Sequence, residues 1–407
     1  MKKLFSNQVI NIFLRGTTVL LKFVLSVLVI KKLSIEEFGV FGLFQSTIII
    51  STFILGFDFY NFTSREILKE NAKTVGYYFT NQLAFHLVVY ILIIPLTYFV
   101  FISGIIHSNY LWLFVLILIS EHLSQELYRL LIILNKSVAA TTLLFLRSGI
   151  WVLFLYFFWT QSILAVNIHS ILLLWLLGAI SSVLLGFKFV NLNRINKINF
   201  KWIIYGIKVS LPFFIGTILY KIIEFSGRYF LSFYHSETEV GVYTFFTSIS
   251  NILFVFVQTI VIIELYPKLI KAKNTSQDEF FITLKIFKKQ IIQYSIIGIV
   301  LSIICIYPLL WFLDKTALFE SVLSYLLLLV STLFFCFSFI SHYALYVNKK
   351  DLDILKATII SFVFNISLSF VLIPRFAVLG AALAQLSTFA IMFIVKSTYW
   401  KKQKLKL

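Results

Sequence analysis

Apolar runs long enough to cross a lipid bilayer follow one another along almost the whole chain. A hydrocarbon core about 30 Å thick requires about 20 apolar residues in a helix. Cutting the sequence at its clusters of turn-forming and charged residues leaves about twelve such runs. They cover 9–30, 38–57, 79–103, 110–134, 138–159, 163–187, 203–233, 240–265, 290–313, 318–346, 354–374 and 378–396. The sequence therefore predicts an all-α integral membrane protein with about twelve transmembrane helices.

The composition excludes several other classes of protein. The 407 residues are 60% hydrophobic and 13% charged, and no polar segment is long enough to bury a core of its own. Both cysteines, Cys305 and Cys336, lie in apolar runs, which argues against a disulfide framework or a cysteine metal site. The sequence contains no Walker motif, no Gly-rich fingerprint and no zinc-type His/Glu spacing, so we expect neither a cofactor nor a metal. Lys2 and Lys3 precede an apolar run without a cleavage site, which indicates an uncleaved first helix.

The positions of Lys and Arg between the runs indicate the orientation. Under the positive-inside rule, with the N-terminus cytoplasmic, the cytoplasmic segments hold 24 of these residues and the opposite side holds four. The four are Lys31, Lys32, Lys315 and Arg375, and the cytoplasmic set includes Lys73, Arg194, Lys396 and Lys406. Both termini are therefore predicted to be cytoplasmic. The net charge of +18 then reflects topology and anionic lipid headgroups, and no nucleic-acid partner is expected.

Two kinds of loop add to this interpretation. In the longest cytoplasmic loop, 267–290, Phe280, Leu284 and Phe287 share one helical face beside lysines, which predicts an interfacial amphipathic helix. The predicted external loops are only a few residues long and offer no room for catalytic groups. We therefore do not expect an enzyme.

An internal repeat appears at an offset of 202 residues. The segment 33–46 matches 234–248 at seven positions. In these pairs Ser34, Glu37, Gly39, Val40, Phe41, Phe44 and Ser46 match Ser236, Glu239, Gly241, Val242, Tyr243, Phe246 and Ser248. A weaker match pairs Asn135 and Lys136 with Asn348 and Lys349.

Six spans per half make the repeat parallel. It predicts two pseudo-symmetric six-helix lobes around a central cavity, with alternating access. The lobes cover 1–190 and 203–397, joined by a basic cytoplasmic linker, 191–202, and followed by a basic tail, 398–407.

Four short segments carry a resemblance to a known family. They are KKLSIEEFGVFGLF (31–44), EVGVYTFF (239–246), GIKVSLPFFIG (206–216) and IPRFAVLGAALAQL (373–386). Together they resemble the O-antigen (Wzx-type) polysaccharide flippases of the multidrug/oligosaccharidyl-lipid/polysaccharide exporter superfamily. One departure is Ala377, which stands where the family usually has Gly. The resemblance implies transport of an undecaprenyl-diphosphate-linked oligosaccharide from the cytoplasmic to the periplasmic leaflet of a bacterial inner membrane.

Besides the 28 cations assigned to the cytoplasmic and external sides, seven of the 35 fall inside the apolar runs. At about 3 kcal/mol each, exposing all of them to lipid would cost about 20 kcal/mol, more than the whole stability of a typical protein. They are Arg15, Lys22, Arg129, Arg147, Lys208, Lys221 and Arg228. Snorkelling towards the surface is an open alternative for Lys208, Arg129 and Arg228. The deeper cations are predicted to line a polar cavity.

Helical spacing places these cations on three polar stripes. The first holds Asn11, Arg15, Thr18, Lys22 and Ser26, the second Lys221, Glu224 and Arg228, and the third His122, Gln125 and Arg129, with Glu121 and Glu126 beside it. The repeat offset places Glu224 opposite Lys22. Either a structural ion pair or a gate or proton-coupled site explains that placement.

A cavity richer in cations than in acids favours an anionic cargo such as a diphosphate. We therefore predict substrate binding by Arg15, Lys22, Arg129, Arg147, Lys221 and Arg228. We predict coupling or gating, with H⁺ or Na⁺ as the ion, by Glu121, Glu126 and Glu224. The expected partners are the lipid-linked oligosaccharide, membrane lipids and other polysaccharide-assembly membrane proteins. A MATE-like drug or ion antiporter and a glycan-assembly membrane enzyme stay open as alternatives.

Overall fold

Helices account for nearly all of the structure, a computed structural model that describes residues 2–69, 75–190 and 197–405. Side chains are described from residue 7 onward, except residue 8. The helices are α1 (Lys2–Lys32), α2 (Ile35–Gly56), α3 (Phe59–Lys69), α4 (Val75–Ile102), α5 (Leu111–Ile133), α6 (Ser137–Phe145), α7 (Trp151–Thr160), α8 (Ile168–Val190), α9 (Phe200–Tyr234), α10 (Glu237–Val257), α11 (Ile263–Thr275), α12 (Gln277–Leu313), α13 (Thr316–Glu320), α14 (Val322–Val347) and α15 (Asp351–Lys404). Two π-helical turns, Leu146–Ile150 and Gln258–Ile262, join α6 to α7 and α10 to α11.

The helices match the predicted number of membrane spans. Ten described segments are long and apolar enough to cross a membrane. They leave out α5, whose 23 residues include Glu121, Glu126 and Arg129, and they count α15 as one segment. Ala377 has non-helical backbone angles (φ 47°, ψ −126°) and divides α15 into two spans. With these two additions the prediction of about twelve transmembrane helices is confirmed.

The chain divides into two compact units. Unit 1 consists of Met1–Ser34 and Leu43–Ile218, and unit 2 consists of Ile35–Gly42 and Leu219–Leu407. The start of α2 therefore belongs to unit 2, and the boundary between the units falls within α9. The predicted lobes, in contrast, are continuous in sequence. Half of the predicted linker, residues 191–196, lies outside the described residues, as do Lys73, Arg194 and Lys406. The lobe boundaries stay a prediction.

The repeat at an offset of 202 residues corresponds to two matching helix starts in unit 2. Helix α2 begins at Ile35 and α10 begins at Glu237, two positions related by the same offset. A Cβ atom on Gly39 would lie 1.9 Å from the Glu237 carbonyl oxygen, and one on Gly241 would lie 2.0 Å from the Ile35 carbonyl oxygen. Each glycine therefore contacts the first residue of the other helix, and no side chain fits at either position.

The weaker match of the repeat corresponds to two similar helix ends. The structure shifts the predicted residue pairing by one position. Asn135 and Lys349 are both left-handed, with φ of 58°. The next residue in each case closes the helix end, because Lys136 N–H donates to Leu131 O (2.9 Å) and Lys350 N–H donates to Leu345 O (3.0 Å). The structural partner of Asn135 is thus Lys349 and not Asn348.

Two predictions about the cytoplasmic segments are wrong. Residues 277–290 form the first turns of α12 and not a separate helix at the membrane surface. Their apolar face packs inside the protein, since Phe287 lies 5.7 Å from Tyr343 and Phe280 lies 6.1 Å from Trp400, measured between ring centroids. Lys396, predicted in a connecting segment, is buried inside α15 with 5% exposure.

Candidate functional site

Arg147 and Glu121 form an ion pair in the interior of unit 1. Arg147 lies in the π-helical turn Leu146–Ile150, an element common at functional sites because it redirects a side chain within a helix. Its Nε lies 3.2 Å from Glu121 Oε2, and the two side chains are 12% and 14% exposed. Trp175 Nε1–H donates to Glu121 Oε1 (2.5 Å). The indole and the guanidinium together hold the carboxylate in place on α5.

The polar stripe of α1 faces α5 and α6. Asn11 and Ser137 are linked by a hydrogen bond of 2.9 Å, and Thr141 Oγ1–H donates to Asn11 Oδ1 (2.6 Å). Arg15 donates to Tyr128 Oη (3.3 Å). Seven residues further along α1, Lys22 lies within electrostatic range of Glu121, which is seven residues before Tyr128. The opposite order shows that the two helices run antiparallel at this point.

Arg15 and Lys22 differ from the other predicted cations of unit 1. Arg147 and Arg129 each form an ion pair with a carboxylate. In the described part of the chain, neither Arg15 nor Lys22 forms such a pair. Glu121 acts on Lys22 from beyond ion-pair distance and is already bonded to Arg147. The group of Arg15, Lys22, Arg147 and Glu121 therefore carries three positive charges and one negative charge, a net charge of +2 (3 − 1).

Glu126, which is 1% exposed, is the centre of a second polar group in unit 1. Arg129 Nη1 donates to Glu126 Oε1 at 2.5 Å, and Gln82 donates to Glu126 Oε2. The Nε2 atoms of His86 and His122 each lie 3.8 Å from a carboxylate oxygen of Glu126. These two nitrogens and the carboxylate lie within 4.8 Å of one another, close enough to hold a metal ion. The imidazoles and the amide come from α4 and α5.

Asp58 brings a second buried carboxylate to the Glu126 group. It follows Phe57 in the tight turn between α2 and α3, where both residues have φ of 49°. Thr217 Oγ1–H donates to Asp58 Oδ2 (2.6 Å), and Arg129 and Glu126 act on Asp58 electrostatically. The Arg129 guanidinium also stacks on Tyr60, 3.7 Å from its ring centroid. Arg129 therefore interacts with two carboxyl groups and one aromatic ring.

The predicted residues of unit 2 form a short stripe on α9. Lys221 Nζ lies 2.7 Å from Glu224 Oε2, and the two side chains are 17% and 26% exposed. Arg228, one turn further, is buried and donates to Gly42 O (3.2 Å) and Thr247 Oγ1 (3.4 Å). The structure thus joins Lys221 to Glu224 and places Arg228 in a helix contact. The predicted relation of Glu224 to Lys22 involves both units and stays a prediction.

Sequence reasoning missed four members of the Glu126 group: Asp58, Gln82, His86 and Tyr90, whose Oη lies 2.6 Å from His122 Nδ1. Asp58 interrupts the apolar stretch ILGFDFYNF, a signal as strong as that of the three predicted acids. The other three lie on α4, and no local spacing relates them to α5, which begins nine residues after α4 ends. Only the packing of these two helices brings them to Glu126.

Comparison with known proteins identifies both a family and a fold. A family described as "Polysaccharide biosynthesis protein" matches residues 4–273. No curated protein matches the sequence. Because the family match covers about two thirds of the chain, it supports the resemblance found in the short motifs.

Three solved structures share the fold along nearly the whole chain. An inward-facing multidrug resistance MATE family transporter of the MOP superfamily has a TM-score of 0.78 and 12% identity, with 97% of this chain and 98% of that chain covered. The lipid II flippase MurJ, in an inward closed conformation, has a TM-score of 0.76 and 16% identity, with coverage of 97% and 87%. A mutant of the Vibrio cholerae MATE transporter VcmN has a TM-score of 0.62 and 14% identity, with coverage of 99% of both chains. At these identities the likeness concerns the fold.

Proposed function

We propose that this chain, which belongs to the polysaccharide biosynthesis protein family and has the fold of MOP-superfamily transporters, is a flippase for lipid-linked oligosaccharides. Its substrate is an undecaprenyl-diphosphate-linked oligosaccharide, which it moves from the cytoplasmic to the periplasmic leaflet of a bacterial inner membrane. Both termini are cytoplasmic, and the translocated unit serves the assembly of a surface polysaccharide such as O-antigen or capsule.

The observation that carries this proposal is the net positive group on α1, α5 and the π-helical turn. Arg15 and Lys22 lie on a membrane-spanning helix without a carboxylate partner among the described residues. A cation in that position costs about 2.5–3.5 kcal/mol unless an anion or water compensates it. A diphosphate supplies the missing negative charge and accepts charge-assisted hydrogen bonds from both side chains. A cationic drug would instead be repelled by this group.

The six predicted substrate ligands then separate into two groups. Arg15 and Lys22 bind the diphosphate in unit 1, and Arg147, although it pairs with Glu121, adds its positive charge beside them. Arg129, Lys221 and Arg228 are engaged in contacts with their own neighbours, so a substrate role for them stays a prediction. The gating roles of Glu121, Glu126 and Glu224 also stay predictions, and each of these acids forms an ion pair with a neighbouring cation.

Alanine substitution on α1 tests the function. We expect Arg15→Ala and Lys22→Ala each to reduce surface glycan about 10- to 100-fold. This reduction corresponds to the loss of a hydrogen bond to a charged group, which contributes about 1.5–3 kcal/mol. Lys22→Arg should retain most of the activity because it keeps the charge. Lys188→Ala removes an exposed cation in the last turn of α8 and serves as the matched control.

The measurement is surface glycan per cell at equal membrane expression, accompanied by the efflux of a cationic dye. Normal glycan display in both alanine variants would contradict the substrate assignment. Loss of dye efflux with glycan display unchanged would instead identify an antiporter of the MATE type.

A further inference from the structure

The imidazoles of His86 and His122 point their Nε2 atoms at one carboxylate in the interior of unit 1. His86 and His122 are 1% and 0% exposed, and Glu126 is 1% exposed. The two histidines come from α4 and α5, and their rings lie 4.6 Å apart in an edge-to-face arrangement. Histidine and carboxylate side chains that converge on one point are the usual ligands of zinc and related metal ions.

The hydrogen bond at Nδ1 of His86 fixes its tautomer. His86 Nδ1 lies 3.2 Å from the Leu55 carbonyl oxygen, and a carbonyl oxygen can only accept. The proton is therefore on Nδ1, and in the neutral tautomer the Nε2 carries a lone pair, which faces Gln82 Nε2 at 3.4 Å and Glu126 Oε2 at 3.8 Å. A metal ion would replace the Gln82 contact at this nitrogen. A backbone carbonyl behind the second nitrogen is also the usual outer partner of a metal-ligating histidine.

His122 has a tyrosine hydroxyl at the corresponding nitrogen, and this hydroxyl can accept the proton of Nδ1. Its Nδ1 lies 2.6 Å from Tyr90 Oη. Its Nε2 is buried and has no hydrogen-bond partner among the described residues, although it lies 3.8 Å from Glu126 Oε1. A buried polar atom without a partner costs about 1–3 kcal/mol. A metal ion bound to this nitrogen would remove that cost.

The charges around the site also favour a cation. Two buried carboxyl groups, Asp58 and Glu126, share one cation, Arg129. In the described ranges, Arg129, Asp58 and the two histidines act electrostatically on Glu126. Buried carboxylates are unfavourable without compensating cations, and a bound metal ion would supply a second cation beside Arg129.

We propose that His86, His122 and Glu126 form a buried site for a divalent transition metal ion of the zinc type. The separations of 3.8 Å between nitrogen and oxygen are shorter than the ~4.2 Å that two metal–ligand bonds of about 2.1 Å can span, so little movement is needed. Two imidazole ligands disfavour Na⁺, Mg²⁺ and Ca²⁺, which prefer oxygen. Three protein ligands leave one position of a tetrahedral ion open.

The ion would connect α4 to α5 and thereby stabilise unit 1. An ion that binds the folded state and not the unfolded state raises the melting temperature, and the stabilisation grows with the logarithm of the ion concentration divided by its Kd. This role is separate from the proposed transport, because the ligands are buried and lie outside the Arg15, Lys22 and Arg147 group.

Zinc binding by the purified full-length protein in detergent tests the proposal. After treatment with a chelator and desalting, we expect the protein to bind about one Zn²⁺ per chain, measured by elemental mass spectrometry. We also expect Zn²⁺ to raise the melting temperature while Mg²⁺ does not. Co²⁺ in place of Zn²⁺ should produce the visible absorption of a site with mixed nitrogen and oxygen ligands.

Four variants locate the site. His86→Gln and His122→Gln should each lose the bound zinc, and Tyr90→Phe should weaken it about 10- to 100-fold, as expected for an outer partner of a ligand. His342→Gln is the matched control, since His342 is a half-buried histidine whose buried Nδ1 has no hydrogen-bond partner among the described residues. It should bind zinc as the parent protein does.

Size-exclusion chromatography and the melting temperature without metal show which variants are folded. If folded Tyr90→Phe binds zinc with unchanged affinity, or if His122→Gln retains as much zinc as His342→Gln, the proposal is overturned. A parent protein that binds no Zn²⁺ at neutral pH would also overturn it.

Discussion

The interiors of the two units bury opposite charges. Unit 1 buries the carboxylates of Asp58 and Glu126 beside two histidines. Unit 2 buries Arg228 and Lys396, and none of its described carboxylates is buried. Its packing relies on aromatic rings, such as Phe335 and Phe389, whose centroids lie 4.7 Å apart, and on the glycines at the starts of α2 and α10. The repeat thus preserved helix ends while the chemistry of the two interiors diverged.

This difference predicts where substitutions change stability through packing and where they change it through charge. In unit 2, the close approach of α2 to α10 depends on the absence of a side chain at two glycines. In unit 1, the buried acids depend on Arg129 and on hydrogen bonds. Substitutions at these two places therefore test whether unit 2 depends on packing and unit 1 on charge.

The largest effect is expected from Gly241→Val in unit 2. A Cβ atom at this position would lie 2.0 Å from the Ile35 carbonyl oxygen, so the two helices would have to separate. We expect a loss of folded, monodisperse protein in size-exclusion chromatography. Gly16→Ala is the control, because no atom lies within 4 Å of the added methyl group, and it should stabilise α1 by up to about 1 kcal/mol. Equal melting temperatures for Gly241→Val and the parent would contradict the close helix contact.

The next largest effect is expected from Arg129→Ala in unit 1. Removing one partner of a buried ion pair leaves Glu126 without its cation and costs about 3–5 kcal/mol. The free energy of unfolding in a denaturant titration measures this loss. Arg65→Ala is the control, since Arg65 is exposed and lies 5.3 Å from the Phe213 ring.

A double variant separates charge from packing at the same site. Arg129→Leu with Glu126→Gln removes both charges and keeps most of the volume, so it should recover more than half of the stability lost in Arg129→Ala. If the double variant is as unstable as the single one, the loss comes from packing, and the charge difference between the units does not explain their stability.

The membrane spans were predictable from the sequence because bilayer thickness alone dictates their length. The pairs Lys221–Glu224 and Arg129–Glu126 could also be predicted from the sequence, since a separation of three residues places both side chains on one helical face. The apolar face of residues 277–290 was misinterpreted, because a helix shows the same periodicity whether its apolar side meets lipid or protein.

The remaining site contacts depend on tertiary packing. Thr217 and Asp58 are 159 residues apart, and no periodicity connects them. His86 and Glu126 lie on different helices, so neither the buried polar group nor its metal-ligand geometry follows from the spacing of His and Glu in the sequence. Lys396 shows the same limit for single residues, because its place near a chain end suggested a loop although it lies inside a long helix.

The smallest effect is expected from Ala377→Gly, and it sharpens the comparison of backbone strain in the two units. Unit 1 holds Asp58 at positive φ with a hydrogen bond to Thr217 (2.6 Å), and Asp tolerates that conformation. In unit 2 Ala377 adopts φ 47° and ψ −126° with a methyl group that can form no such bond. Glycine would release about 1–3 kcal/mol of strain and lose about 0.5–1 kcal/mol to chain entropy. We therefore expect a net stabilisation of about 1 kcal/mol, seen as a higher melting temperature.

Ala382→Gly in the same helix is the matched control for Ala377→Gly. Ala382 is buried and has regular helical angles, so glycine there should lower stability by about 1 kcal/mol. Both variants make the same change of composition in one helix, and they differ in backbone conformation. Opposite signs would therefore assign the effect to strain at the kink, since a general loss of helix propensity would lower both melting temperatures. A decrease in both would show that the α15 kink is unstrained and that the family's usual glycine serves another purpose at this position.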